Sequence, residues 1–170
     1  MSDTFEIIRV IASIVSALAA SIAAVMAKRI SKEQNEIHKD SYKPYCDMWC
    51  VDLKDKISIS IRNNGTGVMQ IKGFRVKKND VDFKGLYDYD CIDKSVKLNY
   101  YSVDIIDRSI KPYGELKLIE KTDGSDTEFE QLRNDLKKCI IEIEYVDMYN
   151  KPMPICKKKL SEIYGKKHRQ

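Results

Sequence analysis

The N-terminal part of the chain is apolar on every side. Residues 7–27 read IIRVIASIVSALAASIAAVMA, and no charged side chain occurs from Val10 to Ala27. A helix of residues 7–27 is about 31 Å long, enough to cross the hydrocarbon core of a bilayer. A core helix of a soluble protein would show a single apolar stripe instead. The pattern therefore predicts that residues 1–27 form a short tail and a transmembrane helix.

A cleavable signal peptide is the main alternative for this segment. Val25-Met26-Ala27 is an acceptable cleavage site, but Asp3 and Glu6 leave the leading residues without a net positive charge, and the apolar run is long for a signal peptide. We therefore expect the helix to be retained as an anchor in the cell membrane.

Basic residues lie mainly on one side of the helix. Lys28, Arg29 and Lys32 follow the apolar run, whereas only Arg9 lies near its start. Because short cytoplasmic flanks carry the excess of lysine and arginine, the N-terminus is expected outside and the C-terminal domain in the cytoplasm. An odd number of cysteines, five, at irregular spacing is also typical of reduced cytosolic thiols.

Small residues follow one face of the predicted anchor. Ala12, Ser16, Ala20 and Ala24 recur every four residues. Such a ridge lets two helix backbones approach closely, which is how helices associate in lipid. We expect this face to mediate self-association or to contact a partner membrane protein.

The helix is expected to continue beyond the bilayer. Residues 28–40 alternate in charge and contain no helix breaker, while Ser41 and Pro44 mark an end. Residues 28–43 are therefore predicted as a helical stalk. Residues 44–164 would form the cytoplasmic domain, and residues 165–170 a basic tail.

From Tyr45 onward the apolar residues alternate as in strands. Residues 56–62 place isoleucines on one face, Asn63–Gly67 reads as a turn, and Gly73 shifts the phase as a β-bulge does. A strand with a break is predicted over 96–106, and residues 153–160 would pair back on a strand at 140–146. The only helical pattern runs from Asp126, the expected cap, to Lys138. This order predicts a mainly β fold, an antiparallel β-sandwich or small barrel with one late inserted helix.

Composition supports a folded domain. The chain is 43% apolar and 33% charged, with a net charge of +4, which excludes a disordered tail. Near a membrane, anionic lipid headgroups account for this modest positive charge. We expect the bilayer to be a partner and expect no nucleic-acid partner.

The sequence offers little catalytic chemistry. Cys46 and Cys50 would lie about 13 Å apart along a strand, too far to share a zinc ion. The two histidines, His38 and His168, lie outside the predicted strands, so a nucleophile activated by histidine is not expected. We therefore expect a protein that is not an enzyme and uses no metal or cofactor.

Tyrosines suggest a binding surface. Tyr87, Tyr89, Tyr100 and Tyr101 are interleaved with aspartates, and tyrosine supplies contact area and a hydroxyl at little entropic cost. The alternative is that these rings pack at the edges of the sheets. The expected ligand is an unknown protein or small molecule.

Three segments carry a resemblance. These are IleSerIleSerIleArgAsnAsnGlyThrGly at 57–67, LysProTyrGlyGlu at 111–115 and IleGluIleGluTyrValAsp at 141–147. With the anchor helix before them, the chain resembles a loose group of short bacterial membrane-anchored proteins of unknown function. The resemblance implies a cytoplasmic, immunoglobulin-like β-sandwich and no catalytic residues. The layout is also similar to that of bacterial antiphage effectors that sense nucleotide signals.

Two functions are compatible with this organisation. In the first, the β domain is a non-enzymatic interaction or ligand-binding module held at the membrane. In the second, a cue sensed by the β domain drives assembly of the helices, which then perturb the bilayer. Toxicity of the overexpressed chain that is lost on Ala20→Leu would favour the second.

Overall fold

The chain forms two compact units, the first ending at Ser41 and the second beginning at Tyr42. They are seen in a computed structural model that describes residues 2–79, 81–86 and 91–164. The side chains of residues 2–6, 8, 10–12 and 40 are outside this description. The predicted tail at 165–170 lies outside it as well.

The first unit is one helix, α1, which runs without interruption over Ser2–Ser41. Within it, Ser13–Lys39 is long and apolar enough to cross a membrane, because its most apolar 18 residues have a mean hydropathy of 1.5. Ile14, Leu18 and Ile22 are each more than half exposed, whereas a core helix of a soluble protein would bury such side chains.

The second unit contains two antiparallel sheets. Sheet A consists, in spatial order, of β1 (Cys46–Leu53), β2 (Lys56–Asn63), β7 (Glu115–Lys121) and β5 (Tyr100–Tyr101). Sheet B consists of β4 (Val81–Phe83), β3 (Met69–Lys78), β8 (Cys139–Val146) and β9 (Cys156–Lys159), with β6 (Ser109–Ile110) also paired to β3. The described part of this unit also contains the short helices α2 (Asp126–Leu136) and α3 (Ser161–Tyr164).

The inner faces of both sheets share one hydrophobic core. Ile57, Ile59 and Ile61 of β2 are fully buried, as are Ile71 of β3 and Ile141 of β8. Alternation along each strand sends these side chains to one face. The predicted mainly β fold, with an apolar N-terminal helix and one late helix, is therefore confirmed, and the two sheets favour the sandwich over a barrel.

Three local predictions can be compared with the structure. The bulge is confirmed, because the pairing of β3 with β8 shifts register between Ile71 and Gly73. The strand predicted over 96–106 is wrong in extent, since only Tyr100–Tyr101 pairs as a strand. The cap of α2 is Ser125, not Asp126. Its side chain accepts from the backbone N–H of Glu128, and the Glu128 carboxylate accepts from the Ser125 N–H in return.

A buried asparagine joins the start of the domain to the turn that follows β2. Asn63, at the end of β2, is fully buried, and its Oδ1 accepts the backbone N–H groups of Tyr45 and Gly65, both at 3.1 Å. Its Nδ2 faces three backbone carbonyls, those of Gly67 (2.7 Å), Ile110 (3.1 Å) and Lys111 (3.2 Å).

The turn after Asn63 lies against the backbone that enters the domain. The N–H groups of Thr66 and Gly67 both approach the carbonyl of Lys43, at 3.2 and 3.3 Å. A Cβ added at Gly67 would lie 1.8 Å from the carbonyl oxygen of Tyr42, so only glycine fits there. The ordered domain thus includes Tyr42 and Lys43, two residues of the predicted stalk.

Candidate functional site

A groove of about 460 Å³ opens on one side of the domain. Phe74 of β3 lines it together with Lys84 and Gly85, which follow β4. Residues 101–107, which begin with the last residue of β5, form the opposite wall. Because these segments belong to different sheets, the groove lies where the two layers of the sandwich meet.

The wall formed by residues 101–107 is held at both ends. At one end, Ser102 donates from its N–H to the carbonyl of Leu118 at 2.8 Å and from its hydroxyl to that of Lys117 at 2.9 Å, both on β7. At the other end, the Asp107 N–H donates to the carbonyl of Ile71 on β3 at 2.8 Å. The segment therefore crosses from sheet A to sheet B as a fixed strap.

Asp107 shapes the second attachment point. It adopts a φ of 64°, a left-handed conformation that aspartate tolerates better than most residues. Its carboxylate pairs with the Lys72 ammonium at 2.9 Å, and the Ile71 N–H returns a hydrogen bond to the carbonyl of Arg108 at 3.0 Å. The buried side chain of Ile105 fixes the same turn in the core.

The strap presents apolar side chains outward. Tyr101, Val103 and Ile106 are 44%, 64% and 56% exposed. Lys84 and Asp104 place opposite charges at the groove. Such a lining suits a ligand with an aromatic or aliphatic body and a small number of polar groups. No cysteine or histidine occurs among its described lining residues.

The predicted tyrosine surface coincides with the groove in part. Tyr101 lies opposite the core residue Ile119 in the β5–β7 pairing and lines the groove. Tyr100 lies opposite Glu120, on the outer face of sheet A, with the Lys117 ammonium 5.8 Å from its ring centre. Tyr87 and Tyr89 are outside the described residues.

Sequence reasoning missed most of the groove. Phe74 and Lys84 come from another sheet, and their approach to residues 101–107 depends on pairings far apart in sequence. The local signal was Ile106, an apolar residue that breaks the strand-like alternation of Val103 and Ile105. Such a residue in an irregular segment between strands could have indicated an exposed apolar wall.

A second surface was also missed. Trp49, the only tryptophan of the chain, is 47% exposed on β1. The guanidinium of Arg62 stacks on its ring at 4.3 Å from the ring centre and pairs with Glu115 at 3.0 Å. Hydrogen bonds from Ser60 and Arg62 to the Glu115 carboxylate, together with the positive charges of Arg62 and Lys117, lower its pKa.

The residues predicted to act in the membrane all lie in α1. Ser16, Ala20 and Ala24 follow one another along the helix at four-residue spacing, and the side chain of Ala12 is outside the description. Lys28, Arg29 and Lys32 are exposed on the same continuous helix. The Ser21 hydroxyl donates to the Ala17 carbonyl at 2.8 Å, so this polar group is satisfied within the helix.

In the described ranges, no group of three or more histidine, cysteine, aspartate or glutamate side chains is arranged so that it could hold a metal ion. Comparison of the chain with protein-family models, with curated proteins and with solved structures finds no match.

Proposed function

We propose that the chain is a single-pass membrane protein whose β-sandwich binds a ligand through the groove beside β5. The observation that carries this proposal is the strap of residues 101–107. It is fixed to both sheets yet exposes Tyr101, Val103 and Ile106. A preformed apolar wall binds without first having to be ordered, so little affinity is lost to entropy. The proposed activity is recognition rather than catalysis.

Site-specific crosslinking in membranes tests this function. A photoreactive amino acid replaces Val103 in the full chain, with Leu53, also exposed but on β1 outside the groove, as the matched position. We expect one discrete adduct from position 103 that is absent from position 53 and is lost when Ile106→Lys is added. Equal labelling at both positions would contradict a binding groove.

In the proposed topology, the N-terminus lies outside the cell and the β domain lies in the cytoplasm. The transmembrane helix is not cleaved. This topology is supported by Lys28, Arg29 and Lys32 after the apolar run. A reporter enzyme that works only in the cytoplasm should be active when fused after Gln170, and one that works only outside the membrane should be inactive there. Replacing the three basic residues with glutamate should move part of the reporter outside, whereas an external reporter in the unaltered chain would contradict the orientation.

The helix is further proposed to self-associate through its small-residue ridge. Ala20→Leu should weaken dimers or larger assemblies measured by crosslinking in membranes, because a bulky side chain separates the backbones. Leu18→Phe also adds three carbon atoms, but on the opposite face of the helix, and should leave the assemblies intact. Equal effects of the two substitutions would exclude this face.

The second candidate function is a signal-gated membrane effector. It would use the same anchor and groove, but ligand binding would lead to perturbation of the bilayer. Its supporting observation is the same ridge, because membrane perturbation requires helices to assemble. If overexpression is toxic and Ala20→Leu removes the toxicity while the crosslink at position 103 persists, the effector is favoured. A crosslinked ligand without toxicity favours the interaction module.

A further inference from the structure

Two buried cysteines from distant parts of the chain are in contact. The Sγ atoms of Cys91 and Cys139 lie 3.4 Å apart, although 48 residues separate them in sequence. Cys139 begins β8, and Cys91 lies in the segment between β4 and β5. Both side chains are almost completely buried. A disulfide bond is about 2.05 Å long, so these sulfurs are about 1.4 Å too far apart to be bonded.

An ion pair holds the Cys91 segment in this position. The Lys78 ammonium pairs with the Asp135 carboxylate at 3.2 Å and donates to the carbonyl of Cys91 at 2.7 Å. The other carboxylate oxygen of Asp135 accepts the N–H of Asp93 at 3.1 Å. The Cys139 thiol donates to the Asp135 carbonyl at 3.4 Å. The two thiols are therefore placed by contacts on both sides of the pair.

We propose that Cys91 and Cys139 are a redox pair that closes to a reversible disulfide bond when the domain meets a hydroperoxide. The Cys139 sulfur attacks the peroxide oxygen, forming a sulfenic acid and releasing an alcohol, or water from hydrogen peroxide. The Cys91 sulfur then attacks the sulfenic sulfur, forming the S–S bond and releasing one water. Two thiols are oxidised by two electrons in total, and one hydroperoxide is reduced.

The surroundings favour Cys139 as the attacking sulfur. The hydrogen bond from Cys91, with the positive charge of Lys78 nearby, lowers the pKa of Cys139, and a thiolate is the nucleophilic form. The same hydrogen bond and burial raise the pKa of Cys91, which keeps its proton. Because both sulfurs are buried, the oxidant must reach them through local opening of the domain, so the reaction is expected to be slow.

The bond would connect two parts of the domain that are now joined only by non-covalent contacts. The segment containing Cys91 leads on from Lys84 and Gly85, which line the groove. Closure would restrict this segment relative to β8. It would also close a long loop in the unfolded chain and so lower the entropy of the unfolded state. We therefore expect the thermal unfolding midpoint to rise by roughly 10 °C. The inference holds on either side of the membrane and does not depend on the proposed ligand.

Peptide mapping of the full chain in detergent tests the pair. The folded chain is treated with hydrogen peroxide, alkylated and digested with trypsin without reduction. We expect the peptides spanning residues 85–94 and 139–157 to be linked, with a mass about 2 Da below their sum, and separated again by a dithiol reductant. Cys156 shares the second peptide and lies within hydrogen-bonding range of Cys46, so a Cys156→Ser chain is mapped in parallel.

The controls make the result decisive. Cys50→Ser should keep the link and the rise in unfolding midpoint, whereas Cys91→Ser should lose both. If Cys91→Ser does not fold, the peptide map of the unaltered chain still shows whether Cys91 and Cys139 become linked. The proposal is overturned if the folded, peroxide-treated chain shows no link between these two peptides. It is likewise overturned if the link forms only after unfolding in urea.

Discussion

Asn63 offers the sharpest test of how the domain is held together at the turn after β2. Asn63→Ala removes a side chain that accepts two backbone N–H groups and donates to three carbonyls. The amide has only two hydrogens for three carbonyls, so the loss amounts to about four hydrogen bonds. At about 1 kcal/mol each, the free energy of unfolding should fall by roughly 4 kcal/mol. That is a large fraction of the 5–15 kcal/mol typical of a domain.

Urea unfolding of the full chain in detergent measures this loss. Trp49 is the only tryptophan, and it lies on β1, whose first residues pair with the end of β2, so its fluorescence reports on the affected region. With a slope of about 2 kcal/mol per molar urea, the midpoint should fall by about 2 M. Asn63→Asp, which keeps the shape but turns a carboxylate oxygen toward three carbonyls, should be at least as damaging at neutral pH.

The neighbouring asparagine is the matched control. Asn64 is exposed, and its side chain makes one long contact with Asp47 at 3.5 Å, so Asn64→Ala should shift the midpoint only slightly. The reasoning would be refuted if Asn63→Ala moved the midpoint by less than about 0.5 M, or by no more than Asn64→Ala.

Three further predictions concern other buried contacts. Lys121→Met should destabilise the domain far more than Lys117→Met, as judged by urea midpoints. The Lys121 side chain is fully buried and donates to two carbonyls and a carboxylate, whereas that of Lys117 is 38% exposed. Gly67→Ala should lower the thermal midpoint strongly and Gly85→Ala hardly at all, because a Cβ at Gly85 meets no atom within 4 Å. Hydrogen bonding from Lys157 lowers the pKa of Glu142. The unaltered chain should therefore have a higher free energy of unfolding than Glu142→Gln, and this difference should be largest above the pKa of glutamate in the unfolded chain, near 4.3. The difference should shrink as the pH falls below that value, because the carboxylate becomes protonated. A constant difference from pH 7 to pH 2.5 would contradict this.

The fold could be predicted because its signals are local. Ile57, Ile59 and Ile61 alternate within one strand, and the phase shift at Gly73 marks a bulge that the pairing of β3 with β8 reproduces. These features depend on side-chain periodicity and backbone freedom, both readable over a few residues.

Burial on both sides of β2 was less predictable. Ser58 and Ser60 alternate with the isoleucines, as on a solvated face, yet both are buried. The reason is cross-strand packing, since Ser60 lies between Trp49 of β1 and Lys117 of β7. A small residue flanked by two large neighbours is covered by them, and no pattern within β2 alone carries that information.

The groove and the thiol pair depend on contacts between distant segments. Residues 101–107 become a strap only because Ser102 is bound to β7 and Asp107 to β3. Cys91 and Cys139 meet because Lys78 and Asp135 bind the segment before β5. Irregular cysteine spacing was interpreted as unpaired thiols, and this missed a contact that spacing cannot reveal.

The strand order also bears on how the chain folds during synthesis. Both sheets are completed by pairings between residues far apart in sequence: Arg62 of β2 meets Glu115 of β7, 53 residues away, and Arg75 of β3 meets Glu144 of β8, 69 residues away. The β1–β2 and β3–β4 hairpins are local and can form early, whereas the non-local pairings that complete the sheets make folding slow. The apolar inner faces of β2 and β3 therefore wait for β7 and β8 to leave the ribosome. During that interval they are available to chaperones or to aggregation.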